Sequence, residues 1–202
     1  MKLHQMRRGT NPRRVIIYLA EKGIDVPRVE VDGAAREHKT AAFLAMNPAG
    51  KVPVLELDDG RAISESAAIV EFLEELHPAP PMIGANPVQR ARVRAVERIA
   101  SDLIARTQIW LMHANVHFAA RVQQDPAVAA AVKPLVDDLL DLLEAHIGDE
   151  PFVAGHRVTI ADCTLFALFQ TCRELIDVPL GAGRPRLDAW YARFAERPSA
   201  AY

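Results

Sequence analysis

The fold is decided by residues 47–66, which read NPAGKVPVLELDDGRAISES. Residues 53–57 are an apolar run that predicts a short strand, the Asp-Gly pair at 59–60 predicts a two-residue hairpin turn, and residues 61–63 begin a return strand. The Ser-Glu-Ser sequence at 64–66 then opens a helix with apolar periodicity. This order places backbone amides and small hydroxyl groups at a helix start beside a strand end, a combination that suits a bound carboxylate.

Val52-Pro53 stands directly before the first of these strands. Proline is tolerated at a strand start because its missing N–H is not needed there. If the bond is cis, Val52 turns its backbone N–H and C=O toward solvent, where a short peptide can pair with them as an added strand. The sequence therefore predicts a site that holds a peptide carboxylate and a peptide backbone together.

The motif N-P-x-G-K-V-P-V-L, the D-G turn and the sequence E-S-x-A-I together resemble the glutathione-binding half of the glutathione transferase superfamily. The resemblance implies that Glu65 and Ser66 hold the γ-glutamyl end of glutathione. It also implies that Val52 pairs through its backbone with the cysteinyl unit and that Pro53 is cis. Lys51 would add a cationic contact. The alternative is that the serines and the glutamate simply cap the helix that follows and complement its dipole.

Glu37-His38-Lys39 is a second candidate segment. Short charged runs are usually solvated turns. In plant-type glutathione transferases, however, an E-H-K triplet a little upstream of the N-P motif meets the glycyl carboxylate of glutathione. The resemblance therefore implies this role for His38 and Lys39.

The resemblance extends over nearly the whole chain and implies an α+β protein of two domains. Residues 1–77 are predicted to form a thioredoxin-like domain of order β-α-β-α-β-β-α, residues 78–87 a proline-rich linker, and residues 88–202 an all-helical bundle. Within the bundle, the T-I-A-D sequence at 159–162 predicts a capping box before a buried helix. Near the N-terminus, Asn11-Pro12 predicts a helix cap followed by proline at the first helical position.

Composition excludes several classes of protein. A net charge of −2 and a pI of about 6.4 argue against nucleic-acid binding. The sequence has no apolar run of transmembrane length and no signal-peptide core. Cys163 and Cys172 would lie roughly 13 Å apart along one helix and cannot pair, which favours a reducing cytoplasm. The arginine pairs at 7–8 and 13–14 are predicted to be mainly surface charge that attracts an anionic substrate.

The catalytic position departs from the family pattern. Chemistry on glutathione needs its thiol, with a pKa near 8.5, as the thiolate. Many family members place serine, tyrosine or cysteine at the start of the first helix, and alignment on R-R-V puts Gly9 there. Thr10 and Asn11 are the nearest hydroxyl and amide, although both could simply cap the helix.

A second hypothesis uses the helical domain. His113 and His117 lie four residues apart, which predicts one helical face, and either could orient a water or hydrogen-bond the thiolate. They do not form a metal site because no third ligand accompanies them. Trp110, Met112 and Phe118 are neighbours that could line an apolar pocket, although ordinary packing is commoner.

These features predict a glutathione transferase that conjugates the glutathione thiolate to small hydrophobic electrophiles. Glutathione is the co-substrate, and no metal or other cofactor is expected. The resemblance implies a cytoplasmic homodimer, with no nucleic-acid or membrane partner. The alternatives are a glutathione-dependent isomerase or reductase and a non-catalytic binding protein of the same fold. The isomerase typically carries an S-S-C turn where this chain has G-T-N, and a redox thiol is disfavoured because no cysteine precedes residue 163.

Overall fold

The computed structural model describes residues 1–201, which divide into two compact units. The first unit comprises Met1–Met82 together with the described residues from Arg197 onward, and the second is Ile83–Glu196. This division differs from the predicted domain limits at the C-terminal end, because the last described residues cluster with the first unit. Among the described residues, no helix has the length and apolar character needed to cross a membrane.

The first unit is built on a four-stranded mixed sheet with strand order β2-β1-β3-β4. Strands β1 and β2 are parallel, whereas β3 runs antiparallel to both β1 and β4. The elements in chain order are β1 (Lys2–Gln5), α1 (Thr10–Lys22), β2 (Arg28–Glu30), α2 (Ala41–Met46), β3 (Val54–Glu56), β4 (Ala62–Ser64) and α3 (Ser66–Leu76). This order confirms the predicted thioredoxin-like layout.

The hairpin between β3 and β4 has a three-residue loop. The N–H of Leu57 donates to the carbonyl of Arg61 at 2.8 Å, so residues 58–60 form the loop, and the predicted two-residue turn is wrong. Gly60 has φ 84°, the left-handed conformation that closes a three-residue loop. Asp59 braces it by accepting a hydrogen bond from the Arg61 N–H at 3.0 Å.

Helix α1 begins earlier than predicted. Its N-cap is Gly9 and no side chain caps it, so the predicted cap at Asn11 is wrong. Pro12 still lies in the first turn of the helix, where its missing N–H is harmless because the first N–H groups have no partner within the helix. Its fixed φ fits more than one position of that turn. The helix ends at Gly23, whose φ of 67° closes the last turn.

The arginine pair on α1 is buried, which corrects the prediction of surface charge. Arg13 and Arg14 are only 2% and 6% exposed. The Nη2 atom of Arg13 donates to the carbonyls of Ser199 (3.2 Å) and Ala200 (2.7 Å). The sequence alone does not distinguish buried arginines from exposed ones. On this helix, both arginines face acceptors within the first unit.

Glu21, whose side chain is 8% exposed, binds the other side of the same C-terminal turn. Arg197 donates to its two carboxylate oxygens at 2.7 and 2.8 Å, and Ser199 donates a further hydrogen bond. Burial raises the pKa of Glu21, but the hydrogen bonds from Arg197 and Ser199 outweigh it and leave the pKa below its ordinary value.

Glu21→Gln is therefore expected to destabilise the protein by about 1 kcal/mol at pH 7. Because the folded-state pKa is lowered, this stabilisation is present above the unfolded pKa of about 4.3 and is lost as the pH falls through the folded value. Urea unfolding at pH 7 and pH 3 should show the gap between wild type and variant closing at the lower pH. The exposed Glu75→Gln should show no gap at either pH, and a Glu21→Gln gap independent of pH would contradict the assignment.

The second unit is helical. Its helices are α4 (Pro87–Ala114), α5 (Pro126–Ile147), α6 (Ile160–Gln170) and α7 (Pro185–Ala195). Every residue of α6 is buried, which confirms the predicted central helix. The predicted capping box is also present: the Thr159 N–H donates to Asp162 Oδ2 at 2.8 Å, and the Thr159 side chain accepts from the backbone of the third helical residue.

Candidate functional site

One end of the sheet gathers most of the predicted binding residues. Val54 in β3 lies opposite His4 in β1 and Ser64 in β4. Because β3 is antiparallel to both neighbours, the segment before it meets the segments that follow β1 and β4. These segments are Val52-Pro53, the turn at residues 6–9 that leads into α1, and Glu65-Ser66.

The Val52–Pro53 peptide bond is cis, as predicted. Pro53 is buried, and the partly exposed Val52 packs against the small core formed by Val31, Phe43 and Val54. The backbone N–H and carbonyl of Val52 form no hydrogen bond with any residue in 1–201. A backbone donor and acceptor are therefore available side by side, as a paired peptide strand requires.

Glu65 and Ser66 occupy the start of α3. Glu65 is the N-cap residue by position, but it makes no side-chain capping bond, and its side chain is exposed. Ser66 is buried, and its Oγ accepts a hydrogen bond from Arg14 Nη1 at 3.0 Å. The alternative that these residues simply cap the helix is therefore not what the structure shows.

The backbone of Glu65 is strained. Its φ is 68° and its ψ is 117°, a conformation that residues with a Cβ rarely adopt. Such a residue costs about 1–3 kcal/mol and is retained only where its surroundings fix it. Here β4 and α3 hold it from both sides, and glycine would adopt the same conformation more easily.

Lys39 and His38 pack against the loop that leads to Val52. They lie in a short 3-10 helix, Glu37–Lys39. Lys39 Nζ donates to the carbonyls of Gly50 (2.9 Å) and Ala49 (3.3 Å). A Cβ at Gly50, whose φ is 56°, would lie 2.8 Å from the His38 carbonyl oxygen, so glycine is required for this approach. The alternative of a solvated turn is therefore not what the structure shows, because this segment is docked on the loop that precedes Val52.

His38 and Lys51 differ in exposure. The Nδ1 atom of His38 is buried and has no hydrogen-bond partner within residues 1–201, which is unusual for a buried polar atom. The Lys51 side chain is exposed, while its carbonyl accepts from Asn47 Nδ2 at 2.7 Å. The His38 ring nitrogen therefore has no partner within residues 1–201, and the Lys51 side chain, directly before Val52, is open to solvent.

Gly9, at the usual catalytic position, has little space around it. A Cβ there would lie 3.0 Å from Pro12 Cδ and 3.3 Å from the Met6 carbonyl oxygen. Thr10 is the first residue of α1, and Asn11 follows it with an exposed side chain. Because the N-cap residue is Gly9, Thr10 and Asn11 lie inside the first turn of α1 and not at the cap position. The positive end of the helix dipole lies at Thr10.

His113 and His117 do not share a helix, which corrects the prediction. Helix α4 ends at Ala114, and His117 lies in a separate 3-10 helix, Val116–Phe118. The break has a local cause: the Asn115 side chain accepts from the His117 N–H at 2.9 Å and caps the second helix. His113 Nδ1 accepts from the Asp125 N–H at 3.1 Å, so the neutral ring carries its proton on Nε2.

Trp110 has a packing role within the second unit. The Lys133 ammonium lies 5.3 Å from the centroid of its ring, a cation–π contact between α4 and α5. This favours the packing alternative over a pocket-lining role for Trp110. Within residues 1–201, no group of three or more His, Cys, Asp or Glu side chains is arranged to hold a metal ion.

Comparison with known proteins places the chain in a family. Residues 10–76 match the model of the glutathione S-transferase N-terminal domain, and residues 104–198 match that of the C-terminal domain. The chain belongs to the glutathione S-transferase family.

Relatives of this family member include transferases and an isomerase. A maleylacetoacetate isomerase of Pseudomonas aeruginosa is 35% identical over 82% of this chain and 78% of its own. Glutathione S-transferase 2 of Saccharomyces cerevisiae is 31% identical over 98% of this chain and 87% of its own. Among solved structures, a glutathione S-transferase domain-containing protein of Marinobacter aquaeolei VT8 has a TM-score of 0.85 and 33% identity, with full coverage of both chains.

For this glutathione S-transferase family member, the sequence analysis did not predict that Arg14 is buried and donates a hydrogen bond to Ser66. A signal was available, since position 14 lies three and four residues before Ile17 and Tyr18, both fully buried. Helical periodicity therefore places Arg14 on the core face of α1. The sequence analysis missed the burial of Arg14 because it treated adjacent arginines as surface charge.

Proposed function

We propose that this protein is a glutathione transferase that conjugates the glutathione thiolate to small hydrophobic electrophiles. The observation that carries the proposal is the convergence, at one end of the sheet, of the unpaired Val52 backbone with Glu65 and Ser66. A homodimer in the cytoplasm is part of the same proposal and follows from the family resemblance.

Each part of glutathione has a matching group at this end of the sheet. Glu65 pairs with the α-ammonium of the γ-glutamyl unit, and Ser66 donates to its carboxylate. Val52 pairs with the cysteinyl backbone. His38, Lys39 and Lys51 supply donors and positive charge for the glycyl carboxylate at the other end of the tripeptide. With both ends held, the thiol lies between them, near the start of α1.

The enzyme supplies binding, orientation and thiolate stabilisation. Holding the tripeptide and the electrophile together removes most of the entropic cost of their encounter. The thiol must ionise near neutral pH, so a donor facing the sulfur must stabilise the negative charge. The candidates for this donor are Thr10 and Asn11 at the start of α1 and, from the second unit, His113 through Nε2–H or His117.

The first test is binding followed by turnover. The purified protein should be retained on immobilised glutathione and eluted by the free tripeptide. It should then catalyse conjugation of glutathione with an aryl halide above the uncatalysed rate. Retention without turnover on several electrophiles would favour the non-catalytic alternative, and failure to bind glutathione would contradict the proposal.

Thr10→Val is expected to raise the pKa of the bound glutathione thiol by about one unit, because it removes one hydrogen bond to the thiolate while keeping the side-chain shape. The measurement is a pH titration of thiolate absorbance in the complex, in parallel with kcat/KM. The variants Asn11→Ala, His113→Ala and His117→Ala are titrated alongside. If the thiol pKa rises in one of these variants but not in Thr10→Val, the residue changed in that variant is the thiolate donor. If the pKa changes in none of the four variants, none of the four residues is the donor.

A second candidate function is favoured by one observation, the similarity to the maleylacetoacetate isomerase of Pseudomonas aeruginosa. Glutathione-dependent isomerisation would use the same binding residues and the same thiolate. The G-T-N sequence at residues 9–11 departs from the S-S-C turn typical of such isomerases. Assaying glutathione-dependent cis–trans isomerisation of a maleyl-type substrate beside the conjugation assay separates the two activities.

A further inference from the structure

Arg14 is a buried charged residue that no step of the proposed function uses. It lies in the first half of α1, is 6% exposed, and donates from Nη1 to Ser66 Oγ at 3.0 Å. Ser66 is 4% exposed and is the first residue of α3. A cation on one helix thus contacts the hydroxyl that, under the proposed function, binds the γ-glutamyl carboxylate.

The chemistry of the two groups fixes the direction of the hydroxyl. A guanidinium group carries donors and no acceptor, whereas a serine hydroxyl can donate one hydrogen bond and accept two. Ser66 Oγ must therefore accept from Arg14, and its own hydrogen must point elsewhere. An isolated serine would have a rotating hydroxyl that donates or accepts as its neighbours require. With Arg14 in place, one acceptor position of Ser66 Oγ is filled by the guanidinium, and the hydroxyl hydrogen is turned away from Arg14, where it can be donated to a ligand.

We propose that Arg14 is a positioning residue that holds the Ser66 hydroxyl as a pre-set donor for the carboxylate of the γ-glutamyl unit. The inference rests on the proposed function and deepens it. Arg14 acts through Ser66: it polarises the O–H bond and removes the entropic cost of orienting it on binding. Its burial prevents water from competing for the same oxygen.

The test is a double-mutant cycle for glutathione binding. Arg14→Met removes the donor and keeps much of the apolar stem, and Ser66→Ala removes the hydroxyl. Each single variant is expected to weaken glutathione binding about tenfold, the effect of one hydrogen bond to a charged group. The double variant should be no weaker than Ser66→Ala alone, because Arg14 has nothing left to position. Arg14→Lys, which also only donates, should restore part of the affinity.

Arg13→Met is the matched control. Arg13 is the adjacent residue and is equally buried, but its Nη2 donates to the carbonyls of Ser199 and Ala200 rather than to the site. It should lower Tm by an amount similar to Arg14→Met and leave the glutathione Kd within about twofold. A purely structural role of Arg14 would make the two variants bind alike.

The outcomes separate this inference from the proposed function. Suppose that wild type binds glutathione and that Arg14→Met raises the Kd by the same factor in the presence and absence of Ser66. Arg14 then does not act through the hydroxyl, and the inference is wrong. If Arg14→Met fails to fold, Arg14→Lys takes its place. The factor by which Arg14→Lys weakens glutathione binding is then measured with Ser66 present and in Arg14→Lys/Ser66→Ala, and an equal factor again means that the inference is wrong. If wild type itself does not bind glutathione, both the inference and the proposed function fail.

Discussion

Glu65→Gly is expected to weaken glutathione binding by roughly 10- to 100-fold while leaving the protein slightly more stable. The loss of affinity follows from removing the carboxylate that pairs with the ligand ammonium. The gain in stability follows from the backbone, since φ is 68° at a residue with a Cβ. Relief of about 1–3 kcal/mol of strain exceeds the entropic cost of about 0.5–1 kcal/mol that glycine adds. Calorimetric titration and thermal unfolding measure the two effects.

Glu65→Ala separates the two effects because alanine lacks the carboxylate but keeps the Cβ. It should bind glutathione as weakly as the glycine variant and should unfold near the wild-type temperature. If the glycine variant keeps wild-type affinity, Glu65 is not a binding residue. If it unfolds below the alanine variant, the strain assigned to this residue is wrong.

Asp162→Ala is expected to have the largest effect on stability, about 3–5 kcal/mol of the free energy of unfolding. The fully buried carboxylate accepts four hydrogen bonds: from Thr159 N–H (2.8 Å) and Oγ1–H (2.8 Å), from Val153 N–H (2.9 Å) and from Trp190 Nε1–H (3.0 Å). Burial raises the pKa of this carboxyl even though these bonds lower it. Its removal leaves buried donors without an acceptor, which is the costliest kind of substitution.

Urea unfolding monitored by tryptophan fluorescence measures this loss, and Trp190 reports it locally. Asp102→Ala is the control, because Asp102 is a partly exposed helix residue that, among residues 1–201, pairs only with Arg98 four positions away, at 2.7 Å. Its loss should cost no more than about 0.5 kcal/mol. An Asp162 variant as stable as the Asp102 variant would show that the buried hydrogen bonds contribute nothing to folding.

The fold could be predicted from sequence because its signals are local. The strand–turn–strand–helix pattern and the capping box at Thr159 each combine spacing with turn or cap chemistry, and both appear as predicted. The errors arose where two local solutions compete. Residues 57–61 could close as a two- or a three-residue loop, and Asn11 could cap a helix that the structure begins earlier. Tertiary packing determines which loop length and which helix start are adopted.

The candidate site was only partly predictable. Motif residues such as Val52 and Glu65 lie together because strand register carries them to one end of the sheet. The backbone strain at Glu65 and the Arg14–Ser66 hydrogen bond have no sequence signature, since both depend on how α1 and α3 pack. The prediction that His113 and His117 lie on one helical face was wrong because Asn115, a strong cap former, ends the helix between them.

Isothermal titration of the purified protein with glutathione, beside the dipeptide Cys-Gly that lacks the γ-glutamyl unit, tests the central claim most directly. We expect saturable heat with glutathione at a Kd below about 1 mM and at least about tenfold weaker binding of the dipeptide, because Glu65 and Ser66 then have no ligand. No heat with glutathione at millimolar concentration, or equal affinity for both peptides, would contradict it.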